Sequence, residues 1–446
     1  MYHPALLLGK AKAGSMTLAQ HLLITMGFFG KNGLTNHAAA GAYGFLLSAA
    51  PMLLIVSFFL IRAFRTEPGA ALALVQEIPF LNFVANGQWP ALEFLVYAPA
   101  GVSTIISMLS IFWAGRIFAV SMQRGIKIVF TGNKKRNPVQ ENLVTLAIEF
   151  VVLVVMLVAI LGSRMALDLY EAAGVFQGAA FMRFVVSLSG SGAFRLVAMF
   201  FFLYLVYILI PVNPPRKLAA FWGSVFCSVV YGTATTLMDT LLRQPRYNFI
   251  YGALGELVIV LVGVYIFFLC FFLGCQLAAV SNSFDALLFL RLRETRNAQA
   301  GDGKALGPRI ARAFFYDAGG RLGKYRRSYS KGETVMSKGD TEKDVYFLLE
   351  GEVDVLLPSK LGADRSAGVL KAGSFIGEMG YLLSEGRTAT IRAKTDVFAL
   401  ALPPALFGEI LGHDTELDKS IIENLSRRIK RSNEQISALS ESETRD

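Results

Sequence analysis

Six stretches of about 20 residues or more run through this chain almost without formal charge, and that pattern limits the fold more than any motif. Residues 32–61, 94–115, 196–215, 218–238 and 257–284 contain no Lys, Arg, Asp or Glu, and 142–163 contains only Glu149. A helix of roughly 20 apolar residues crosses about 30 Å of hydrocarbon. The spacing therefore predicts six transmembrane helices. Charge is also divided along the chain: residues 1–290 hold 18 Lys and Arg and 10 Asp and Glu, whereas 291–446 hold 25 and 23. With 54% hydrophobic side chains and only 17% charged ones, against roughly 25% in soluble domains, a purely soluble enzyme is excluded. The charged third is long enough to close a core of its own. The expected fold class is an all-α polytopic membrane bundle of six transmembrane helices, followed by an α+β soluble domain built on a β-roll.

Lys and Arg at the span ends fix the orientation. Lys10, Lys12, Lys31, Arg124, Lys127, Lys134, Lys135, Arg136, Arg216, Lys217, Arg291, Arg293 and Arg296 fall on one side, while Arg residues on the other are matched by Asp and Glu. The positive side is the cytoplasm, so both termini are expected there, in a multi-pass protein of the bacterial inner (plasma) membrane. Of the net charge of +10, nearly all belongs to the apolar part, which fits topology and anionic lipid better than nucleic acid. Cys227, Cys270 and Cys275 lie in apolar runs and read as buried thiols. The N-terminus shows no cleavable signal. Before the first span, Leu18, Leu22, Met26 and Phe29 at spacings of three and four predict an interfacial helix over residues 15–29. Arg116 and Glu149 are candidates for an ion pair across the bundle. No ionisable cluster marks a pore, and no potassium filter, Arg ladder or phosphate-cradling loop is present.

The strings AAAGAYGFLLSAAPMLLIV (38–56), YLVYILIPVNPPRK (204–217) and YGALGELVIVLVGVYIFFLCFFLGCQLAA (251–279) resemble the YihY/BrkB (virulence factor BrkB) membrane family. The matching positions are Tyr43, Ser48 and Pro51, then Tyr207 and Pro211, then Tyr251, Gly252 and Gly255. The resemblance covers about residues 15–285 and implies a six-span inner-membrane protein. The family has carried a ribonuclease label. A metal-dependent nuclease needs clustered His, Asp or Glu, whereas His3, His21, His37 and His413 are scattered, so no metal and no catalytic residue are expected. A transport role is what the class suggests.

Beyond Ser328 short apolar runs alternate with glycine turns: 334–336, 345–349, 353–357, 388–393 and 397–402 read as strands, and KGE, KGD, EGE and AGS as turns. Helical patterns follow at 404–411 and from 415 to about 439. The informative string is FIGEMGYLLSEGRTATIRA, 375–393. Its spacing suits capture of a cyclic phosphate on a ribose. Arg387 supplies a planar charged donor, backbone N–H groups after Gly377 supply an anion site, Glu378 accepts from the ribose 2′-hydroxyl, and Thr388 adds a hydroxyl.

The string resembles the phosphate-binding cassette of the cyclic-nucleotide-binding domain, over about residues 328–431. That resemblance implies cAMP or cGMP as regulatory ligand, with Gly377, Glu378, Met379, Arg387, Thr388 and Ala389 in the site. Gly380 and Tyr381 replace the family's alanine and leucine, which puts pocket shape and base preference in question. The competing reading is a module that binds nothing, with Arg387 paired to a protein carboxylate. The expected order is a cytoplasmic N-terminus (1–34), the membrane domain (35–290), a juxtamembrane linker (291–327), the nucleotide-binding domain (328–432) and a polar tail (433–446). The expectation is a transporter-like protein regulated by cyclic nucleotide, with the bilayer and the nucleotide as partners, no nucleic acid, and room for a homo-oligomer. The alternative is a non-transporting membrane scaffold carrying a sensor.

Overall fold

A computed structural model describes residues 4–48, 102–130, 137–148, 192–242, 245–297, 313–316, 320–357, 365–383 and 386–414, with isolated positions to 426. Contacts divide the chain into two units: Thr25–Asn282, and Met1–Ile24 together with Ser283–Asp446.

The first unit is helical. After α1 (Pro4–Lys31) come α2 (34–48), α3 (Val102–Val129), α4 (138–148), α5 (Gly192–Leu209), α6 (Lys217–Leu242) and α7 (Pro245–Asn282). The fourth apolar run was expected to reach 215, but α5 stops at Leu209. Pro211, Pro214 and Pro215 follow, and proline has no N–H to donate to a helix. Among the described residues, two helices are long and apolar enough to cross a membrane, Lys217–Met238 and Val258–Asn282. The end of the first expected span, most of the third and the start of the second fall outside the described residues, as does Glu149. Arg116 donates from Nη2 to Asn142 Oδ1 at 2.5 Å.

Aromatic side chains fill this unit's core. Tyr207, Phe268, Phe271 and Phe272 are fully buried, and Phe118 packs edge-on against Phe268. Helices α6 and α7 meet through glycines, since a Cβ on Gly223 would lie 2.6 Å from the Gly274 carbonyl oxygen. Small residues permit such backbone approach in membrane bundles. Buried polar groups are bonded locally: Tyr207 Oη donates to Phe271 O at 2.7 Å, Thr145 Oγ1 to Gln123 Oε1 at 2.7 Å, and Ser224 Oγ to Ala220 O at 2.9 Å. Phe201, Leu205, Leu209, Leu218 and Trp222 face outward. The three cysteines are free and buried, as their apolar surroundings predict.

The second unit contains two antiparallel four-stranded sheets. Their strands are β1 (Arg326–Tyr329), β2 (Thr334–Met336), β3 (Val345–Glu350), β4 (Glu352–Leu357), β5 (Arg365–Lys371), β6 (Phe375–Ile376), β7 (Thr390–Ala393) and β8 (Val397–Leu402). The sheet orders are β1-β8-β3-β6 and β2-β7-β4-β5. Val335, Leu348, Val353, Ile376, Ile391, Val397 and Ala399 close the core between them. Among the described residues, helices α8 (Phe284–Asn297), α9 (Glu378–Leu382) and α10 (Pro404–His413) belong to the same unit as the roll.

Part of α1 belongs to this unit. Gln20 Nε2 donates to Phe314 O at 2.7 Å, and the His21 ring stacks on Phe284 with centroids 3.4 Å apart. His21, expected at a surface or interface, is half-buried beside that ring. Leu18 and Met26 point outward, each 63% exposed, on the face that the sequence assigns to the membrane interface.

Candidate functional site

The site forms where β6 runs into α9. Gly377 adopts φ +80°, a left-handed conformation that favours glycine. Space gives a second reason for glycine, because a Cβ at 377 would collide with Arg387 Nη1. The turn aims the chain into the short helix beginning at Glu378, whose first amides have no carbonyl one turn earlier to bond.

Arg387 is the centre. It is only 4% exposed, and Glu378 only 8%. The guanidinium donates from Nη1 to Gly377 O at 3.0 Å and from Nη2 to Asp344 O at 2.5 Å. Its Nε is buried without a partner. Among the described residues no carboxylate forms a salt bridge with it, so the pairing required by the non-binding reading is not found there. A buried cation held only by neutral carbonyls is costly. An anion brought to it recovers Coulomb energy and completes the donor set.

The backbone of Arg387 is fixed by the KGD turn. Gly339 N donates to Arg387 O at 2.9 Å, and Arg387 N to Asp340 O at 3.1 Å. Asp340 Oδ2 accepts from Ser337 N at 2.8 Å and shapes that turn. This stitching fits the start of β7 at Thr390 and not at Thr388 as expected: the backbone at Arg387 bonds to the 339–340 turn and not to a strand partner. Thr388 is exposed, while Met379 and Ala389 are half-buried. The six expected site residues thus lie along two adjoining segments. No residue pattern pointed to Asp344, because it contributes a main-chain carbonyl and carbonyls have no residue signature.

Tyr381, which with Gly380 departs from the cassette pattern, packs against α10. Its ring stands edge-on to Phe407 at 5.0 Å, and its Oη lies where a Cβ on Gly408 would come within 2.9 Å. It packs on α10 because Gly408 leaves room for it there. From Phe407 the aromatic contacts continue to Phe375 at 5.6 Å, and Phe375 and Phe347 both pack against Phe289 of α8, at 6.1 and 5.0 Å. Polar bonds fasten the same helix: Arg293 bridges to Asp414 at 3.1 Å, and Arg296 Nη1 donates to Leu349 O at 2.9 Å.

At the start of α8, Asp285 accepts from Arg321 at 2.5 Å, Lys324 at 2.7 Å and Tyr325 at 3.0 Å. Burial alone would raise the Asp285 pKa, but these bonds and the Arg321 charge outweigh it and hold the carboxyl below its usual range. The same bond raises Lys324. Burial lowers the His21 pKa; the Arg321 charge acts with it, against the Thr17 hydrogen bond and Asp285. Among the described residues no group of three His, Cys, Asp or Glu could hold a metal ion.

Comparison with known proteins accounts for both units. The family described as virulence factor BrkB matches residues 25–291, and the cyclic nucleotide-binding domain family matches 326–414. The cAMP-activated global transcriptional regulator Vfr of Pseudomonas aeruginosa is 27% identical over 119 residues, 26% of this chain and 56% of that protein. The Pycsar effector protein RsmPycTIR of Rhodovulum is 35% identical over 106 residues, 23% of this chain and 39% of its own length. The regulator CRP of Salmonella typhimurium is 26% identical over 113 residues, 25% and 53%. The chain spans about half the length of these curated relatives or less. Among solved structures, the Thermus thermophilus catabolite activator protein shows 25% identity over 26% of this chain and 54% of its own, with a TM-score of 0.25. The BrkB match extends over more than half of the residues, and the chain belongs to the virulence factor BrkB family, carrying a cyclic nucleotide-binding domain after its membrane region.

Proposed function

We propose that this is a transporter-like protein of the bacterial inner membrane, with six spans and both termini in the cytoplasm, whose state is biased by cAMP or cGMP. The membrane domain takes in residues 35–290 and the sensor 328–432, with the N-terminal helix on the bilayer surface through Leu18, Leu22 and Met26. One observation carries the ligand reading: Arg387 is buried, makes hydrogen bonds only to backbone carbonyls and leaves Nε unpartnered. In the bound state its guanidinium takes the phosphate oxygens, the amides after Gly377 add donors, and Glu378 accepts from the ribose 2′-hydroxyl. Met379, Thr388 and Ala389 line the pocket.

A ligand shifts the membrane domain only if it binds one of its states more tightly. The physical route favoured here is the aromatic series from Tyr381 through Phe407 and Phe375 to Phe289, because α8 follows α7 in sequence after Ser283 alone. Full-length protein in nanodiscs is titrated with cAMP and with cGMP by calorimetry, for wild type and Arg387→Ala. Saturable binding lost in the variant supports the site, and equal affinity of the two proteins refutes it. Reconstituted vesicles then report solute flux and lipid transbilayer movement with and without nucleotide. Nucleotide-dependent movement supports a regulated transporter. Binding without movement of any tested species supports the scaffold.

A further inference from the structure

The unit that holds the β-roll carries an exposed basic edge. From Arg321 to Lys331 the chain has five Lys and Arg and no Asp or Glu, along the 3-10 turn Gly320–Tyr325 and strand β1. Arg321, Lys324, Arg326 and Arg327 are all exposed. Arg321 and Lys324 share the single carboxylate of Asp285, so that group keeps a net positive charge. Arg326 lies 4.8 Å over the Phe398 ring, and Arg327 donates to the Lys324 and Arg326 carbonyls at 3.4 and 3.1 Å. Among the described residues neither forms a salt bridge, so neither charge is neutralised by direct contact.

This edge is tied to the start of α8. Asp285 is the third residue after Asn282, where α7, long and apolar enough to span a bilayer, ends, and three residues reach about 10 Å at most. Arg321 and Lys324, bonded to Asp285, are therefore held near that helix end. The neighbouring Phe284 ring carries the Arg321 guanidinium at 5.4 Å and the stacked His21 ring at 3.4 Å. Through His21 the edge adjoins the part of α1 that belongs to the same unit, where Met16 and Leu18 are 37% and 63% exposed. Cations beside exposed apolar side chains match the boundary between lipid phosphates and hydrocarbon. A nucleic-acid backbone would meet the cations and leave Met16 and Leu18 in water.

We infer that the edge from Arg321 to Arg327 docks on anionic phospholipid headgroups and holds the sensor against the bilayer surface. This surface is independent of the nucleotide pocket and rests on the membrane placement of α7. Each cation close to an anionic leaflet strengthens association about fivefold, and salt screens the attraction.

Ser328 is exposed on β1 beside Arg327, whereas Cys227, Cys270 and Cys275 are buried, so Ser328→Cys in the full-length protein takes a thiol-reactive fluorophore at the edge. The labelled protein is placed in nanodiscs of phosphatidylcholine alone, or of equal parts phosphatidylcholine and phosphatidylglycerol, each with a lipid bearing a nitroxide on its headgroup. Quenching is expected to be about twofold stronger or more in the phosphatidylglycerol discs, and to fall to the phosphatidylcholine level at high salt. Arg326→Gln with Arg327→Gln should remove the difference, and Arg326→Lys with Arg327→Lys should keep it, which separates charge from the packing of Arg326 on Phe398. Equal quenching in the two compositions, an undiminished difference in the glutamine pair, or its loss in both pairs alike overturns the inference. A DNA duplex that binds the protein in phosphatidylcholine discs through the same two arginines makes the edge a nucleic-acid surface and refutes the lipid assignment. Protein that does not enter discs at all refutes the membrane placement itself, a failure distinct from equal quenching in loaded discs.

Discussion

The membrane bundle and the β-roll both bury polar groups, but they satisfy them differently. In the bundle Tyr207 bonds to the Phe271 carbonyl, Thr145 to Gln123, and Ser224 to the carbonyl one turn back. Hydrocarbon offers no water to unpaired groups, so such bonds are made within the protein. The exception among the described bundle side chains is Ser228 Oγ, a neutral hydroxyl. The roll instead buries a full positive charge at Arg387 with neutral acceptors on two sides and nothing at Nε. Arg296 in the same unit also has a free Nε, but its guanidinium lies 5.1 Å over the Tyr316 ring. The contrast separates polar groups that hold helices together from a buried cation left with an unused donor.

The largest effect that tests this contrast concerns Arg387. Arg387→Met should weaken cyclic-nucleotide binding by about 2–5 kcal/mol, while unliganded stability stays level or rises because an unpaired buried charge has been removed. Calorimetry and thermal unfolding of full-length protein measure the two sides. A drop in unliganded stability matching the lost affinity would make Arg387 structural and erase the contrast. The bundle should respond in the opposite way. At Gly274 an added Cβ would lie 2.7 Å from Cys227 Cβ and from Tyr207 Oη. Gly274→Ala is therefore expected to cost about 1–3 kcal/mol in thermal unfolding, with nucleotide affinity unchanged.

Smaller effects lie at the base of the roll. The partners of Asp285 are about half exposed, so solvent weakens the cluster, and Asp285→Asn should cost about 1 kcal/mol. With its folded pKa below the unfolded value of 3.8, Asp285 contributes fully above that pH. The contribution disappears as pH falls through the lower folded value, and unfolding curves between pH 5 and 3 follow that loss. His21 gives the smallest effect. Its folded pKa is below the unfolded 6.5, so its contribution is full above pH 6.5 and declines in acid. Wild type should lose under about 1 kcal/mol more than His21→Phe between pH 7 and 5, because phenylalanine keeps the stack on Phe284 without taking a proton.

The sequence revealed the strands whose side chains alternate or form apolar runs. It concealed three others for separate reasons. β1 is RRSY with its first three side chains exposed, so its pattern is that of a charged loop. β5 is an edge strand paired to β4 alone and contains Gly368. β6 is two residues long, too short for a period. Glu378 and Arg387 stood out in the sequence because the glycine turn and the charged residues nine apart resemble the cassette, and the structure buries both. Asp344 and the inward packing of Tyr381 did not, since one depends on a carbonyl direction and the other on a vacancy over Gly408.

Ser283 alone separates α7 from α8, and a joint of that length has an energetic consequence. Ordering one residue's backbone takes about 1–2 kcal/mol, which bounds how much of a ligand's free energy the joint can dissipate. Sensor and membrane domain are also present one to one, on the same chain, with no diffusive search between them.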